Sequence, residues 1–376
     1  MNIFASLKLA AVAAAAALFP TTVISETAGI NQTALATRGM FFVGGEYAGP
    51  EDNRVMHGQM YVEVLTPKQV TQPYPLVQIH CAAQTATNWM MTPDGRKGWA
   101  DYFADQGYVV YLVDQPARGR SAWHPGIDGE LRMYSAQQLE RLFTAPEVLG
   151  NWPQAKLHTQ WPGTGRMGDS IFDAFYATQV ESLKSDVETQ ELARKAGAAL
   201  LDRIGPAVLI THSQSGLLGW VIADARPDLV KGIIAIEPSG PPFHNSAKDN
   251  PPAREYGITD IAVAYDPPIS GATELQRERQ TEPEAADLIA CTLQKEPARK
   301  LANFQDIPVL VTVSEASYHA PYDHCTARYL QQAGVPADFI RLPEKGIHGN
   351  GHMMMLEMNN LEIAKMLSGW IQQKVN

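Results

Sequence analysis

The chain has 376 residues, 45% of them hydrophobic and 19% charged, a balance that supports a sizeable core. Its formal net charge is −10 and it has no Lys/Arg-rich run, which argues against nucleic acid or an anionic membrane surface as a partner. In chain order, the first feature is an apolar run over residues 9–19 (Leu-Ala-Ala-Val-Ala-Ala-Ala-Ala-Ala-Leu-Phe), preceded by Lys8 and broken by Pro20. It is too short to span a bilayer, and Val23 and Ser25 supply the small residues of a cleavage site. Residues 1–25 are therefore expected to be a signal peptide, and residues 26–376 a mature periplasmic or secreted domain with no membrane span.

Residues 26–40 read as a poorly structured lead-in. The alternation Met60-Tyr61-Val62-Glu63-Val64 within 56–65 predicts an antiparallel edge hairpin. Short apolar runs then alternate with helical segments, the pattern of βαβ units and a parallel sheet. Strands are predicted at 76–80, 108–113, 207–211, 232–236, 308–313 and 337–342. Helices are predicted at 98–106, 185–204, 215–225 and 321–332. A closing helix carries Ile363, Met366, Leu367, Trp370 and Ile371 on one face. Two stretches break the rhythm. Residues 122–179 are rich in Trp, Pro and Gly, and 238–306 in Pro and charge. Insertions of this length usually act as lids or binding loops. Trp123, Tyr134, Phe143, Trp152 and Trp161 of the first could line a pocket or simply pack. Of the three cysteines, Cys291 and Cys325 can form a disulfide in an oxidising compartment, leaving Cys81 free; three buried thiols are an equal alternative. Their spacing does not suit zinc.

The sharpest chemical signal is Ala207-Val-Leu-Ile-Thr-His-Ser-Gln-Ser-Gly216, a strand running into a Ser with a helix starting at once. Such a strand–turn–helix lifts a nucleophile clear of the sheet and aims helix N–H groups at developing negative charge. Ser213 is the expected nucleophile. Thr211 and Ser215 stand where the G-x-S-x-G pattern has glycines. The second signal is Gly346-Ile-His-Gly-Asn-Gly-His352. His352, read as directly preceding the last helix, is preferred to His348 as general base. The glycines between them disfavour a metal pair. The acid should lie between Ser and His in the chain. Glu237 closes its strand one place over from the elbow and leads, with Glu315 and Asp323 as alternatives. The oxyanion donors are expected to be the N–H of Gln214 and that of Ala82, with Cys81 and Ala83 as neighbours. Asp114-Gln-Pro-Ala-Arg-Gly-Arg-Ser121 reads as a structural turn without chemistry.

Together, the turn at Asp114–Ser121, the elbow at Thr211–Gly216 and the G-x-G-H and L-E pair within Gly349–Glu357 resemble the α/β-hydrolase fold. That fold is a mostly parallel twisted sheet with helices on both faces, here with lid-like insertions. More narrowly, the chain resembles a group of bacterial and fungal esterases. They share the T-H-S-Q-S-G elbow, a Glu after the sixth strand, T-P-D-G-R followed by G-W (Thr92–Arg96, Gly98-Trp99) and G-N-x-H-M-M-M (Gly349–Met355). The resemblance implies a Ser213–Glu237–His352 triad. Some members carry H-G-C-C at the oxyanion loop, where this chain has His80-Cys81-Ala82-Ala83. The expected activity is two-step hydrolysis of a small-molecule carboxylic ester without metal or organic cofactor. Amide, lactone or thioester hydrolysis by the same triad is the alternative. A catalytically silent binding protein with this fold is the alternative of another class.

Overall fold

The computed structural model describes residues 29–245 and 252–375. The expected signal peptide lies outside the described residues. An eight-stranded sheet organises the chain: β1 (Leu35–Ala48), β2 (Val55–Pro67), β3 (Leu76–Ile79), β4 (Val110–Asp114), β5 (Ala207–His212), β6 (Val230–Ile236), β7 (Val309–Val313) and β8 (Ala337–Arg341). Their spatial order is β1-β2-β4-β3-β5-β6-β7-β8. β1, β2 and β4 pair antiparallel, and every neighbour from β4 to β8 pairs parallel. The central parallel strands are covered on both faces, which is why they read as continuous apolar runs rather than alternations. All of β5 is buried, with Leu209 in one core and Val208 and Ile210 in the other.

Five helices build the two covering layers: α1 (Trp99–Asp105), α2 (Asp186–Ile204), α3 (Ser215–Ala225), α4 (Asp323–Gln332) and α5 (Asn360–Lys374). Residues of α2, α3 and α4, among them Ala196, Leu200, Leu218, Val221 and Leu330, pack with Leu209, Ile233 and Val311 on one face. Trp99 and Phe103 of α1 and Ile363, Leu367 and Trp370 of α5 pack with Val110, Ile210 and Leu310 on the other. Ser185 caps α2 by accepting the Glu188 N–H, and Gly205 at φ 81° ends it. The parallel strands deliver their carboxyl ends to one edge, where ligands of open α/β sheets gather.

Two expectations are corrected. Residues 35–40 are not lead-in but the start of a 14-residue edge strand, paired with β2 from Leu35 onward. Its outer face and edge are exposed, and Gly44 and Gly45 at positive φ interrupt it, so it carries little alternation. The last helix begins at Asn360, so a series of turns separates it from His352. Residues 122–179 and 238–306 contribute only short elements outside the large sheet among the described residues.

Candidate active site

The elbow is built by close packing. Ser213 sits between β5 and α3 at φ 57°, with its N–H donated to Ile236 O at 3.0 Å. A non-glycine residue at positive φ is strained, and the surroundings must hold it there. Ser215 helps. Its hydroxyl accepts the His212 N–H at 2.8 Å and reaches Ile79 O at 2.7 Å, tying the turn to the end of β3. Thr211 fits because α3 gives way. A Cβ on Gly219 would stand 2.9 Å from Thr211 Cγ2. Gly216 similarly admits Pro238, whose Cβ would lie 2.4 Å from an added methyl.

Glu237 follows β6, in its own positive-φ turn (43°), and is fully buried. Its Oε2 lies 2.6 Å from His352 Nδ1 and accepts the Ser317 hydroxyl at 2.5 Å. Its Oε1 accepts the Ser314 N–H at 2.9 Å and the Ser314 hydroxyl at 2.5 Å. Burial raises the Glu237 pKa, opposed by the neighbouring His319 imidazole and by the Ser314 and Ser317 donors. With Nδ1–H facing a carboxylate, the lone pair of neutral His352 is on Nε2, the nitrogen a general base needs. Nε2 is buried without a hydrogen-bond partner among the described residues, and the Tyr318 side chain interacts with that of Ser213. Burial, then the neighbouring His319 imidazole, holds the His352 pKa well below 6.5.

A cage of rings fixes this imidazole. Phe143 and His319 stack on it with centroids at 4.9 Å, Tyr318 lies tilted at 4.9 Å and His212 at 4.4 Å. His212 Nε2 lies 2.9 Å from His352 O and donates to it. His319 is itself kept neutral, chiefly by burial, its pKa pushed down to about 4.

The loop bearing His352 is fastened from three directions. Glu315 accepts the Gly349 N–H at 2.8 Å and pairs with His348 at 3.1 Å. Glu357 accepts the Gly351 N–H at 2.9 Å and the Asn350 amide at 2.7 Å, and meets His158 Nε2 at 2.9 Å. His158 Nδ1 pairs with Glu147 at 2.8 Å. Arg96, from the T-P-D-G-R segment, donates to the carbonyls of Leu356, Glu357 and Met358. Gly349 is required twice over: its φ is +77°, and a Cβ there would meet Thr159 Oγ1 at 2.0 Å.

The structure thus brings Glu237 and His352 together beside the Ser213 turn. His348 is exposed, with Glu315 as its partner, and Asp323 pairs with His319 at 2.9 Å. Gln214 opens α3 directly after Ser213. Ala82 lies in the turn following β3, next to Ala83 at φ 58°. The Sγ atoms of Cys291 and Cys325 are joined at 2.05 Å, and Cys81 is a buried free thiol. Tyr318, Phe143, His212, His319, Ser314 and Ser317 also belong to this constellation, and sequence reasoning missed their part in it. The Ser/His-rich run after β7, at the carboxyl edge of the sheet, was the signal available.

Among the described residues, two side-chain groups could offer three metal-ligand atoms, Glu237–His319–His352 and Cys291–His324–Cys325. In the first, the 2.6 Å between Glu237 and His352 is a hydrogen bond; two ligands sharing a zinc ion at about 2.0–2.2 Å each would stand farther apart. In the second, the disulfide occupies both sulfurs.

A family model described as "Alpha/beta hydrolase family" matches residues 76–366. The chain is 51% identical over 335 residues, 89% of each protein, to a "Probable secreted lipase phiG" of Fungal sp. (strain ATCC 74256). Its fold resembles that of a structure described as a novel bacterial esterase, with a TM-score of 0.63 at 23% identity over 91% of this chain and 97% of that one. The family match spans most of the chain, including the whole parallel part of the sheet, and the chain belongs to the alpha/beta hydrolase family.

Proposed function

We propose that the chain is an exported serine esterase that cleaves carboxylic esters through Ser213, His352 and Glu237. The observation carrying this reading is the 2.6 Å contact of His352 Nδ1 with buried Glu237, with the free Nε2 lone pair left in the ring cage beside Ser213. In the reaction, the Ser213 hydroxyl attacks the ester carbonyl as His352 Nε2 takes its proton. The N–H groups of Gln214 and Ala82 receive the oxyanion. The protonated imidazole, held by Glu237, passes its proton to the leaving alcohol, and water repeats the sequence on the acyl-enzyme. The relative named a secreted lipase supports an ester substrate and export, in line with the signal expected over residues 1–25. Residues 122–179 serve as the lid, with Phe143 laid over His352.

The test is hydrolysis of nitrophenyl esters by the mature protein beside Ser213→Ala and His352→Ala. Loss of nearly all activity in both variants, with a serine-reactive phosphonate labelling only proteins that keep Ser213, is expected. Activity surviving Ser213→Ala would overturn the assignment. The relative's name favours a second reading for substrate size, esters of longer acyl chains. A rate that rises along a series from acetate to decanoate supports it, and a steady fall removes it.

A further inference from the structure

The turn Asp114–Ser121 holds itself together without the Arg118 side chain, the Arg118 carbonyl accepting the Ser121 N–H at 2.8 Å. Asp114 accepts the Ala86 N–H at 2.8 Å, the Arg120 N–H at 3.0 Å and Arg120 Nε at 2.7 Å, and its carbonyl accepts the Ser121 hydroxyl at 2.6 Å. Arg118 turns the other way and is 3% exposed. One guanidinium nitrogen donates to Cys81 O at 3.0 Å and the other to Gln214 Oε1 at 3.3 Å, while Nε has no partner among the described residues. Both partners are uncharged oxygens. Burying a cation against such weak compensation is costly, and burial lowers its pKa to about 10. Turn geometry alone does not call for it.

The two partners are not arbitrary. Cys81 C=O and Ala82 N–H belong to one planar peptide unit, and Gln214 is the residue whose N–H follows Ser213. A charged donor on a peptide oxygen polarises the amide and strengthens its N–H as a donor. The guanidinium thus bridges the two sides of the oxyanion hole from behind, one peptide unit away from where negative charge develops.

We propose that Arg118 is the positioning residue of the oxyanion hole, holding the Cys81–Ala82 peptide and Gln214 in register and strengthening the Ala82 donor. This rests on the serine esterase reading above. Arg118 does not touch the substrate; it acts through the two loops that do. A merely structural arginine would alter stability or substrate binding, whereas this one acts in the transition state.

The experiment compares wild type, Arg118→Met and Arg118→Lys, with Ser213→Ala in parallel. It reads kcat and KM on a nitrophenyl ester and the inhibition constant of a trifluoromethyl ketone, whose adduct with the serine carries the oxyanion. Arg118→Met is expected to lower kcat about 100-fold, within the range for disturbing an oxyanion donor, and to weaken the ketone by the same factor with KM changed less than about 3-fold. Arg118→Lys should recover part of both, since a single ammonium cannot serve both acceptors as a fork does. A kcat within about 3-fold of wild type, a loss carried by KM, or unchanged ketone affinity overturns the proposal. If Arg118→Met does not fold, Gln214→Leu removes one of the two acceptors. A matched loss in kcat and ketone affinity then supports the bridge, and an unchanged kcat overturns it. Should Ser213→Ala keep wild-type activity, the parent reading fails and takes this one with it; a dead Ser213→Ala beside an unimpaired Arg118→Met removes this inference alone.

Discussion

Two hydroxyls, one backbone N–H and one imidazole converge on the carboxylate of Glu237. A Glu237→Gln side chain has the same shape but brings an NH2 group into a ring of donors. Either His352 or Ser314 then loses its acceptor, and the imidazole loses both its tautomer and its counter-charge. The expected result is a fall in kcat of about 10²–10⁴ with KM little changed, read by steady-state kinetics. The same burial sets the acid side of the pH profile. In the proposed mechanism the His352 ring works neutral, and its pKa is held well below 6.5, so kcat/KM should decline only as pH falls well below that value. An acid limb centred above 6.5 would mean that the ring is not caged as described. Thr211 and Gly219 make a third residue-scale case. Gly219→Ala sets a methyl 2.9 Å from Thr211 Cγ2 in a fully packed turn. A loss of about 1–3 kcal/mol is expected in denaturant unfolding. Thr211→Ala in the same chain should restore most of it, and additive losses would show that the two do not compete for space.

At the scale of elements, the segment 140–161 and the loop 349–357 behave as one clasp. His158 lies between Glu147 and Glu357, and the N–H groups of Thr159 and Gln160 donate to Gly349 O. Burial disfavours charge on His158, yet hydrogen bonds to the two carboxylates outweigh it and raise the pKa to about 9. A folded pKa above the unfolded value means that the stabilisation is complete below about 6.5 and is lost as pH rises through about 9. Melting temperature should therefore drop between about pH 7 and pH 10 in wild type. In His158→Gln the whole curve should sit lower with that drop removed; an unchanged slope would sink the assignment. Much of this level was legible in the sequence where burial is two-sided. The runs at 207–211 and 308–313 read as strands because every residue of β5 and β7 within them is buried. β1 was not legible, since a largely exposed edge strand interrupted by two glycines has no clear period. Glu237 and His352 could be proposed because strand ends and glycine-rich loops have recognisable local chemistry. Phe143 could not, because it reaches the site through an insertion whose path the local sequence does not encode, and Tyr318 and His319, in the run after β7, show no local pattern that assigns them to the imidazole.

At the scale of the whole molecule, the two insertions are secured differently. The first is clasped to the His352 loop by charge and backbone hydrogen bonds, whereas the second is tied covalently to α4 through Cys291 and Cys325, 34 residues apart. Loop-closure entropy for such a link corresponds to about 3–4 kcal/mol. The Cys291→Ser/Cys325→Ser variant should therefore melt several degrees lower in a thermal scan. Its kcat should stay near wild type, because neither sulfur touches Ser213, His352 or Glu237. With those two sulfurs bonded, each molecule holds one thiol, Cys81, which is 1% exposed and has its pKa pushed up to about 12 by burial. An aromatic disulfide reagent has no access to it in the closed state, so colour release follows the opening of the loop after β3 rather than the chemistry of the sulfur. Each chain thus carries a single-site clock for the breathing of the loop proposed to bind the oxyanion, and a tight-binding phosphonate on Ser213 should slow that clock.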